Sequence, residues 1–426
     1  MKTESLAKAY VLTHGVHFTP SALRFASQVN AKQQNAVYNL PAAEKSRTHK
    51  HDETITSPAS RSEQRFNRPQ ELFFTGDDKY TVCTSAVAPV PGRECAVVDL
   101  CDDRLTLVTP SIPDIGRRLN RIEFVTRPSY YDKLTATGRS VQRWVSACGY
   151  DEMNIWPWHD CAISRTCSFC GINAVEKKAG RNLDLIHAVD MRREIDVDSY
   201  WLTVRDEVVS EILQAVDLAI DDDCYQDEIH LILISGNLAD NQLDAQARIY
   251  ADLANAITRR HPARFAEGAV AVTAPPSDLG LLRVMRENGI EVGVFNLEAF
   301  SPSAFESHCP GKCRIGRDRY LKTLEAGVDV FGWGKSWCNF VLGLESPTDL
   351  LAGCEYLASR GVTPGANVLH RDHGASLRLD PPTPETVVDF YRQLANICRR
   401  HEHRPYYCQL ALRTSLANEA FAGRLD

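Results

Sequence analysis

No apolar run in this 426-residue chain approaches the length of a membrane-spanning helix. The polar opening from Met1 to Lys8 leads into no long hydrophobic segment of the kind a secretory signal needs. A cytoplasmic protein with no membrane partner is therefore expected. Positive charge is not in excess either. The 48 Lys and Arg against 55 Asp and Glu leave a formal net charge of −7, which gives no global electrostatic reason to bind nucleic acid. Repeats of solenoid type are missing, which sets stacked-repeat architectures aside. Small-molecule chemistry is the default that remains.

What is present is a globular balance of 44% hydrophobic and 24% charged residues, with 14 cysteines. In a long chain with no export signal these thiols are expected to stay reduced, with some serving as ligands. The length exceeds one average domain and fits two or three domains, or one large barrel with additions.

Residues 1–32 carry scattered apolar positions (Leu6, Tyr10, Val11, Leu12, Leu23, Phe25) and read as a poorly defined segment with one short helix. From 33 to 69 the chain is too polar to bury what ordering it would cost, and reads as a disordered linker. His49 and His51 fit a solvated charged run there better than a metal site. Between 70 and 150, short β-prone runs broken by Gly76, Pro91-Gly92 and Asp102-Asp103 suggest a small β-rich subdomain. Cys83, Cys95 and Cys101 match no metal spacing there and read as small hydrophobes.

From 151 to 426 apolar strands alternate with amphipathic helices. Strands are expected at 152–157, 228–234, 268–274, 291–297, 337–342, 363–369 and 406–412. Helices are expected at 201–221, 242–260, 277–288, 316–330, 347–360 and 384–401. In the last, Val387, Tyr391, Leu394 and Cys398 share one face, with Thr383 as N-cap and Pro384 at the first helical position. Such alternation implies an α/β fold, a complete or partial (β/α) TIM-type barrel with an N-terminal β-rich extension. Chemistry in such barrels sits at the C-terminal ends of the strands.

Cys161, Cys167 and Cys170 form a Cys-x5-Cys-x2-Cys run just after the first barrel strand. A zinc site normally wants four ligands, and only one Cys-x2-Cys arm is available. A redox pair of Cys167 and Cys170 leaves Cys161 without a role. An iron-sulfur cluster held by three thiolates keeps one iron open to another ligand, and this reading is preferred.

With Phe169 in the aromatic place before Cys170, the run resembles the Cys-x3-Cys-x-aromatic-Cys signature of the radical S-adenosylmethionine enzymes, with two extra residues in its first gap. That longer gap is found in a few members, including a biotin synthase-like enzyme of the iron-guanylylpyridinol cofactor pathway. Further resemblances follow in order. Ser235-Gly236-Asn237 looks like the family's Gly-Gly-Glu segment, which receives the cofactor's amino group; an ordinary strand-to-helix turn is the competing reading. Asn296 and Glu298 resemble the strand end that touches the cofactor ribose and carboxylate. Arg314, then Arg319, match the arginine that pairs with that carboxylate, a task suited to a bidentate fork. Gly343 fits the strand that packs near adenine, and 367–382 follows the biotin synthase-like layout.

The resemblance implies a 4Fe-4S cluster, S-adenosyl-L-methionine as cofactor, an electron donor such as flavodoxin or ferredoxin, and a small-molecule substrate. It implies reductive cleavage of the cofactor to a 5′-deoxyadenosyl radical that removes a substrate hydrogen. Rearrangement, carbon-carbon bond chemistry, methylation and sulfur insertion all remain open as outcomes. His370 and Arg371, beside Asp372 and His373, make a polar knot where substrate could be bound or a proton moved, a solvated loop being the alternative. Cys309, Cys313 and Cys338 are candidates for a second cluster, although one cluster is preferred. Trp333 and Trp337 either line the cavity or simply pack. The 174–200 stretch or the β-rich piece is a candidate cover for the barrel mouth. The rival class is a non-catalytic iron-sulfur carrier or scaffold, or a zinc-stabilised binding protein.

Overall fold

The first helix, Thr3–His14, is buried on nearly all sides, including Ala7, Tyr10, Val11 and Leu12. A helix apolar or neutralised all round belongs inside a protein, and Lys8 meets that demand by donating to Glu419 Oε1 (2.7 Å) and the Leu412 carbonyl (2.5 Å). A second helix, Pro20–Gln28, starts on a Thr19 cap whose hydroxyl accepts from Ala22 N. This computed structural model describes residues 1–32, 68–112, 114–158, 161–163, 167–172, 196–225, 228–370, 375–405 and 408–426. Most of the expected linker, and most of the 174–200 stretch, thus lie outside the described residues.

Strands β1 (Val16–Phe18), β2 (Glu71–Thr75), β3 (Thr81–Ser85), β4 (Ala96–Cys101), β5 (Arg104–Val108) and β6 (Arg121–Phe124) form two three-stranded sheets, ordered β1-β4-β5 and β3-β2-β6. The β4–β5 hairpin turns on Asp102 and Asp103, both at positive φ as a two-residue hairpin turn requires. Val16, Phe18, Leu72, Phe74, Val98, Leu107 and Phe124 share one core with the two helices.

The large sheet contains β7 (Val145–Cys148), β8 (Glu152–Ile155), β9 (Ile229–Ile234), β10 (Phe265–Val272), β11 (Ile290–Val294), β12 (Ser336–Leu342) and β13 (Val362–Val368). Its order is β13-β12-β11-β10-β9-β8-β7, parallel except for the antiparallel edge β7. The order is linear with two ends, so the described strands make a curled half-barrel rather than a closed one. The helices Val197–Ala219, Leu243–Arg260, Leu281–Glu287, Arg317–Phe331, Pro347–Ala358 and Pro384–Arg400 fill the intervals. Pleating separates two faces. Met153, Ile155, Leu231, Leu233, Ala269, Ala271, Phe340 and Leu342 join the core shared with the helices. On the opposite face Ile232, Val270, Val272, Val292, Val294 and Trp337 form their own apolar cluster, the concave wall of the half-barrel.

Two expectations about strands are corrected. β7 was not anticipated, being only four residues long. Conversely, 408–412 is turn rather than strand, and 406–407 lie outside the described residues. The reason is where its backbone groups go: Leu410 N donates to the Asp151 carboxylate (2.6 Å), while the Arg413 and Thr414 carbonyls accept from Ser85 and Val368. Hydrogen bonds spread over three elements cannot set a ladder register. This segment instead ties the β7–β8 turn to the end of β13. Gly149, at φ +51, permits the approach, since a Cβ there would sit 1.6 Å from the Leu410 carbonyl oxygen. No helix among the described residues is long and apolar enough to cross a membrane.

Candidate metal centre and active site

Cys161 follows β8 in a loop stapled to the loop after β9. Trp158 Nε1 donates to the Gly236 carbonyl (2.5 Å), Ala162 N donates to the Asn237 carbonyl (2.7 Å), and Asn237 N donates to Cys161 Sγ (3.2 Å). The Asn237 side chain carries the linkage one strand further, its Oδ1 accepting from Ala274 N (2.6 Å) beyond β10. That oxygen is the one the sequence offered to a cofactor amino group. Here it fastens strand ends, and Gln246 Nε2 donates to it as well, at 3.5 Å. Ser235 is buried beside it.

The second half of the cysteine run is fastened on the other side of the barrel mouth. Ser168 N donates to the His308 carbonyl (2.9 Å), the Ser168 hydroxyl meets His308 Nδ1 (3.1 Å), and Leu377 N donates to the Ser168 carbonyl (2.8 Å). Phe169 packs against the cluster of Ala299, Val341, Leu344, Leu369 and Leu377, so the aromatic residue of the motif acts as an anchor. These ties set the Cys167 thiol near the buried thiol of Cys309, while each sulfur donates to a backbone carbonyl, Cys167 to Ile163 (3.8 Å) and Cys309 to Leu297 (4.0 Å). That proximity, with help from the Lys312 charge, holds Cys167 below the ordinary cysteine range against the opposing effect of burial. The same proximity pushes the Cys309 thiol up.

Beyond β11 the ladder to β12 contains one extra residue. Phe295 N donates to the Trp337 carbonyl and Glu298 N to the Asn339 carbonyl, so three steps on one strand face two on the other. Such a bulge re-aims side chains next to functional sites. Asn296 repairs it: its Oδ1 accepts from Asn339 N at 2.9 Å, in place of the missing ladder carbonyl. Glu298 is left at φ +71, a costly backbone for a residue with a Cβ. Lys312 closes the arrangement, donating to the Asn296 carbonyl (2.6 Å) and Glu298 Oε1 (2.7 Å) with its ammonium beside the Tyr320 ring. Burial alone would lower the Lys312 pKa, but Glu298 and the neighbouring phenol and thiols raise it well above the usual lysine value.

Lys312 was not anticipated. Pro302 and Pro310 mark the starts of two short helices, Pro302–His308 and Pro310–Ile315, and Gly316 at φ +103 ends the second, but nothing in that pattern singles out Lys312. That geometry puts Cys309 and Lys312 three residues apart, toward the Cys167 side. Arg314, on the same short helix, is exposed and contributes positive charge toward Cys167. Arg319 is occupied otherwise, donating to the Pro275 and Pro276 carbonyls and to Asp240, and so braces the loop after β10. Gly343, at φ +121, lies against Leu369, whose Cβ would be 2.9 Å from an added Cβ. Glu345 beyond it accepts from Phe300 N and Ser301 N.

His370 Nδ1 is 3.0 Å from the Val368 carbonyl at the end of β13, while Arg371, Asp372 and His373 lie outside the described residues. Cys338 points to the helix-packed side of β12, where it accepts from Leu297 N and burial pushes its thiol up to about 12. Trp337 belongs to the concave apolar wall. Trp333 is 54% exposed and stacks on His403.

Among the described residues no three His, Cys, Asp or Glu side chains converge as a ready metal cage. Ligand loops commonly complete their geometry only with the metal. The donor chemistry nevertheless fits a thiolate-held cluster. Cys161 and Cys167 are buried, the first sulfur receives a backbone N–H, and the second lies within reach of the Lys312 positive charge. Charge and hydrogen bonds of this kind stabilise sulfur that has lost its proton.

Fold and site together define an α/β half-barrel protein with a cysteine-bearing loop at the C-terminal ends of parallel strands. Among known proteins the chain is similar to bacteriochlorophyllide c C-7(1)-hydroxylase of Chlorobaculum limnaeum, with 26% identity over 316 residues, 70% of this chain and 74% of the hydroxylase. Solved structures with weaker likeness include the FeFe-hydrogenase maturase HydG from Carboxydothermus hydrogenoformans, at TM-score 0.36 and 12% identity, covering 62% of this chain and 54% of the maturase. A second HydG structure gives TM-score 0.35 and 13% identity, covering 61% of this chain and 51% of that one. The chain thus spans about half the length of the maturases it matches. No family model matches it.

Proposed function

We propose that this chain is a radical S-adenosylmethionine enzyme of biotin synthase-like layout that removes a hydrogen atom from a carbon of a largely apolar small molecule. The observation that supports the reading best is the seating of Cys161 and Cys167 at the strand C-termini, where Asn237 N donates to the Cys161 sulfur and the Lys312 charge helps hold the Cys167 thiol below the ordinary cysteine range. Similarity to a bacteriochlorophyllide hydroxylase over most of both chains supports an enzyme acting on a C–H bond of a large apolar ring system, with hydroxylation the favoured outcome.

Cys161, Cys167 and Cys170 would hold a 4Fe-4S cluster, with Phe169 fixing their loop. Cluster and S-adenosylmethionine together supply, when bound, a carbon radical able to take hydrogen from an unactivated C–H bond. Lys312 has three N–H donors, two of them engaged by Asn296 and Glu298, and offers the third to the cofactor carboxylate. This assigns to Lys312 the role expected of Arg314, because Lys312 is the buried cation. Glu298 Oε2 suits the ribose hydroxyls, and Asn237 Oδ1 would receive the amino group by exchanging its long contact with Gln246 Nε2. Ser235, Gly236 and Gly343 shape the cofactor's berth, while Arg319 holds the β10 loop in place. His370 and Arg371 are proposed to bind polar substrate groups or move a proton. The concave wall of Ile232, Val270, Val272, Val292, Val294 and Trp337 presents aliphatic and indole surface that keeps water out of the reacting region. A flavodoxin or ferredoxin would supply the electron.

Anaerobic reconstitution tests the reading. About four irons per chain are expected, as a cubane requires, together with reductant-dependent formation of 5′-deoxyadenosine that Cys167→Ala abolishes. Zinc in place of iron, or a loaded cluster that yields no 5′-deoxyadenosine, would sink it.

A further inference from the structure

Trp156 lies just past the end of β8, on the way into the loop that carries Cys161, and the proposed reaction gives it no role. Its indole Nε1 donates to the Ser146 hydroxyl on β7 (2.7 Å). Ser146 pairs with Asn154 on the face opposite the helix-packed Ala147 and Met153, so the indole is held on the concave side of the sheet. The ladder registers then run one layer across the half-barrel. Trp156 falls beside Ile234, one step beyond the Ile155–Leu233 pair, Ile234 faces Val272, Val272 faces Val294, and Val294 faces Trp337. At the far end Trp337 packs with Val294, its own N–H donated to the Gly334 carbonyl (2.6 Å). At the near end Trp156, Ile232, Ile234 and Val272 stay partly exposed, although Leu231 and Leu233 between them are fully buried against the helices. Partly exposed apolar side chains on central strands line open space inside the half-barrel.

We infer that Trp156 is a specificity-determining residue whose indole face stacks on a planar conjugated ring of the substrate, with Ile234 and Val272 as the floor beside it. The inference rests on the reading of the site above and narrows its apolar ring to a flat, conjugated one. The open strip runs from β8 to β10, two strand spacings or about 10 Å, broader than a single extended hydrocarbon chain needs. Both indole N–H groups are committed to the protein and none of the five side chains of the layer is charged, so the layer offers ring faces and alkyl groups. A surface of that kind selects by flatness and π character, because offset stacking rewards only a ring that can lie on the indole. Ser146 fixes the indole beforehand, which lowers the ordering cost of binding. The place of Trp156 ahead of Cys161 sets the stacked ring beside the candidate cluster loop.

The test compares binding of a free-base porphyrin, a planar conjugated probe, with binding of a long-chain saturated alcohol, by equilibrium dialysis against the anaerobically reconstituted full-length protein. Wild type, Trp156→Leu, Trp156→Phe and Trp333→Leu are measured, Trp333 being the exposed indole that stacks on His403 outside the layer. Trp156→Leu should weaken porphyrin binding roughly three- to tenfold, the size of one aromatic stacking contact. Trp156→Phe should recover most of that loss, Trp333→Leu should match wild type, and the alcohol should bind alike to wild type and Trp156→Leu. Equal porphyrin affinity in wild type and Trp156→Leu overturns the inference, as does failure of wild type to bind the porphyrin. An equal loss for porphyrin and alcohol overturns it too, by reducing Trp156 to plain apolar surface. Porphyrin binding that depends on Trp156, in a protein that forms no 5′-deoxyadenosine, keeps this berth and sinks the radical reading alone.

Discussion

The ammonium of Lys312 lies 2.7 Å from Glu298 Oε1, and Glu298 is the residue that the β11 bulge forces to φ +71. The pair spans the junction between the cysteine loop and the strand ends, with both side chains mostly buried. Breaking a buried pair by removing one partner strands the other charge, at a cost of roughly 3–5 kcal/mol. Lys312→Met should therefore lower the unfolding free energy by an amount of that order, read by denaturant titration. Lys312→Arg should retain most of the stability. S-adenosylmethionine binding, read by equilibrium dialysis, should be lost in the methionine variant and retained in Arg314→Ala.

Iron content separates the cysteines by position. Cys161→Ala and Cys170→Ala should lose the cluster, whereas Cys338→Ala should bind iron as wild type does. Cys338 faces the helices, and its removal should cost only the packing of a small buried group, roughly 1 kcal/mol on the scale of a lost methylene-sized volume. Iron loss in Cys338→Ala would revive a second cluster near β12.

Asp151 gives a pH dependence whose sign is fixed. Burial raises its pKa from 3.8 to about 7, and its Oδ2 accepts from Leu410 N. Between those values the folded protein holds a proton that the unfolded chain has released, so this group's contribution favours folding below about pH 4 and is lost as pH rises through 7. Asp151→Asn keeps an acceptor for Leu410 and removes the charge. It should stabilise the protein at pH 8 by roughly 2–4 kcal/mol, the order implied by a shift of this size. At pH 4 it should be close to neutral. Thermal melts of both proteins at the two pH values check this, and equal shifts at both would exclude it.

The barrel portion was largely legible because its signals are local. Runs such as Ile229–Ile234 and Ser336–Leu342 announce strands by composition, and Thr383 with Pro384 announces a helix start that the structure confirms, the Thr383 hydroxyl accepting from Thr386 N. The β7 edge was missed because four residues carry too little alternation to register. The 408–412 stretch was misread because its apolar residues are held by a carboxylate and two separate strands rather than by a ladder. At the site, Glu298 and Asn237 were found by their places after strands, but what they touch depends on contacts across 14 and 37 residues. Lys312 was passed over for Arg314 because a one-dimensional pattern does not show which of two cations on one helical turn is buried.

The first helix and the end of the chain are bound to each other through Lys8 and Glu419, and through Arg424 and Glu4. Lys8 and Glu419 are 411 positions apart. Closing so large a loop is only slowly more costly than closing a modest one, but the search for it is long. The strap across the open flank, residues 408–416, is set only when that search succeeds. Until then the β7–β8 turn and the end of β13 stand unjoined. Lys8 with Glu419 and Glu4 with Arg424 therefore act as a clasp that holds the first helix against the strap leading from the β7–β8 turn to β13.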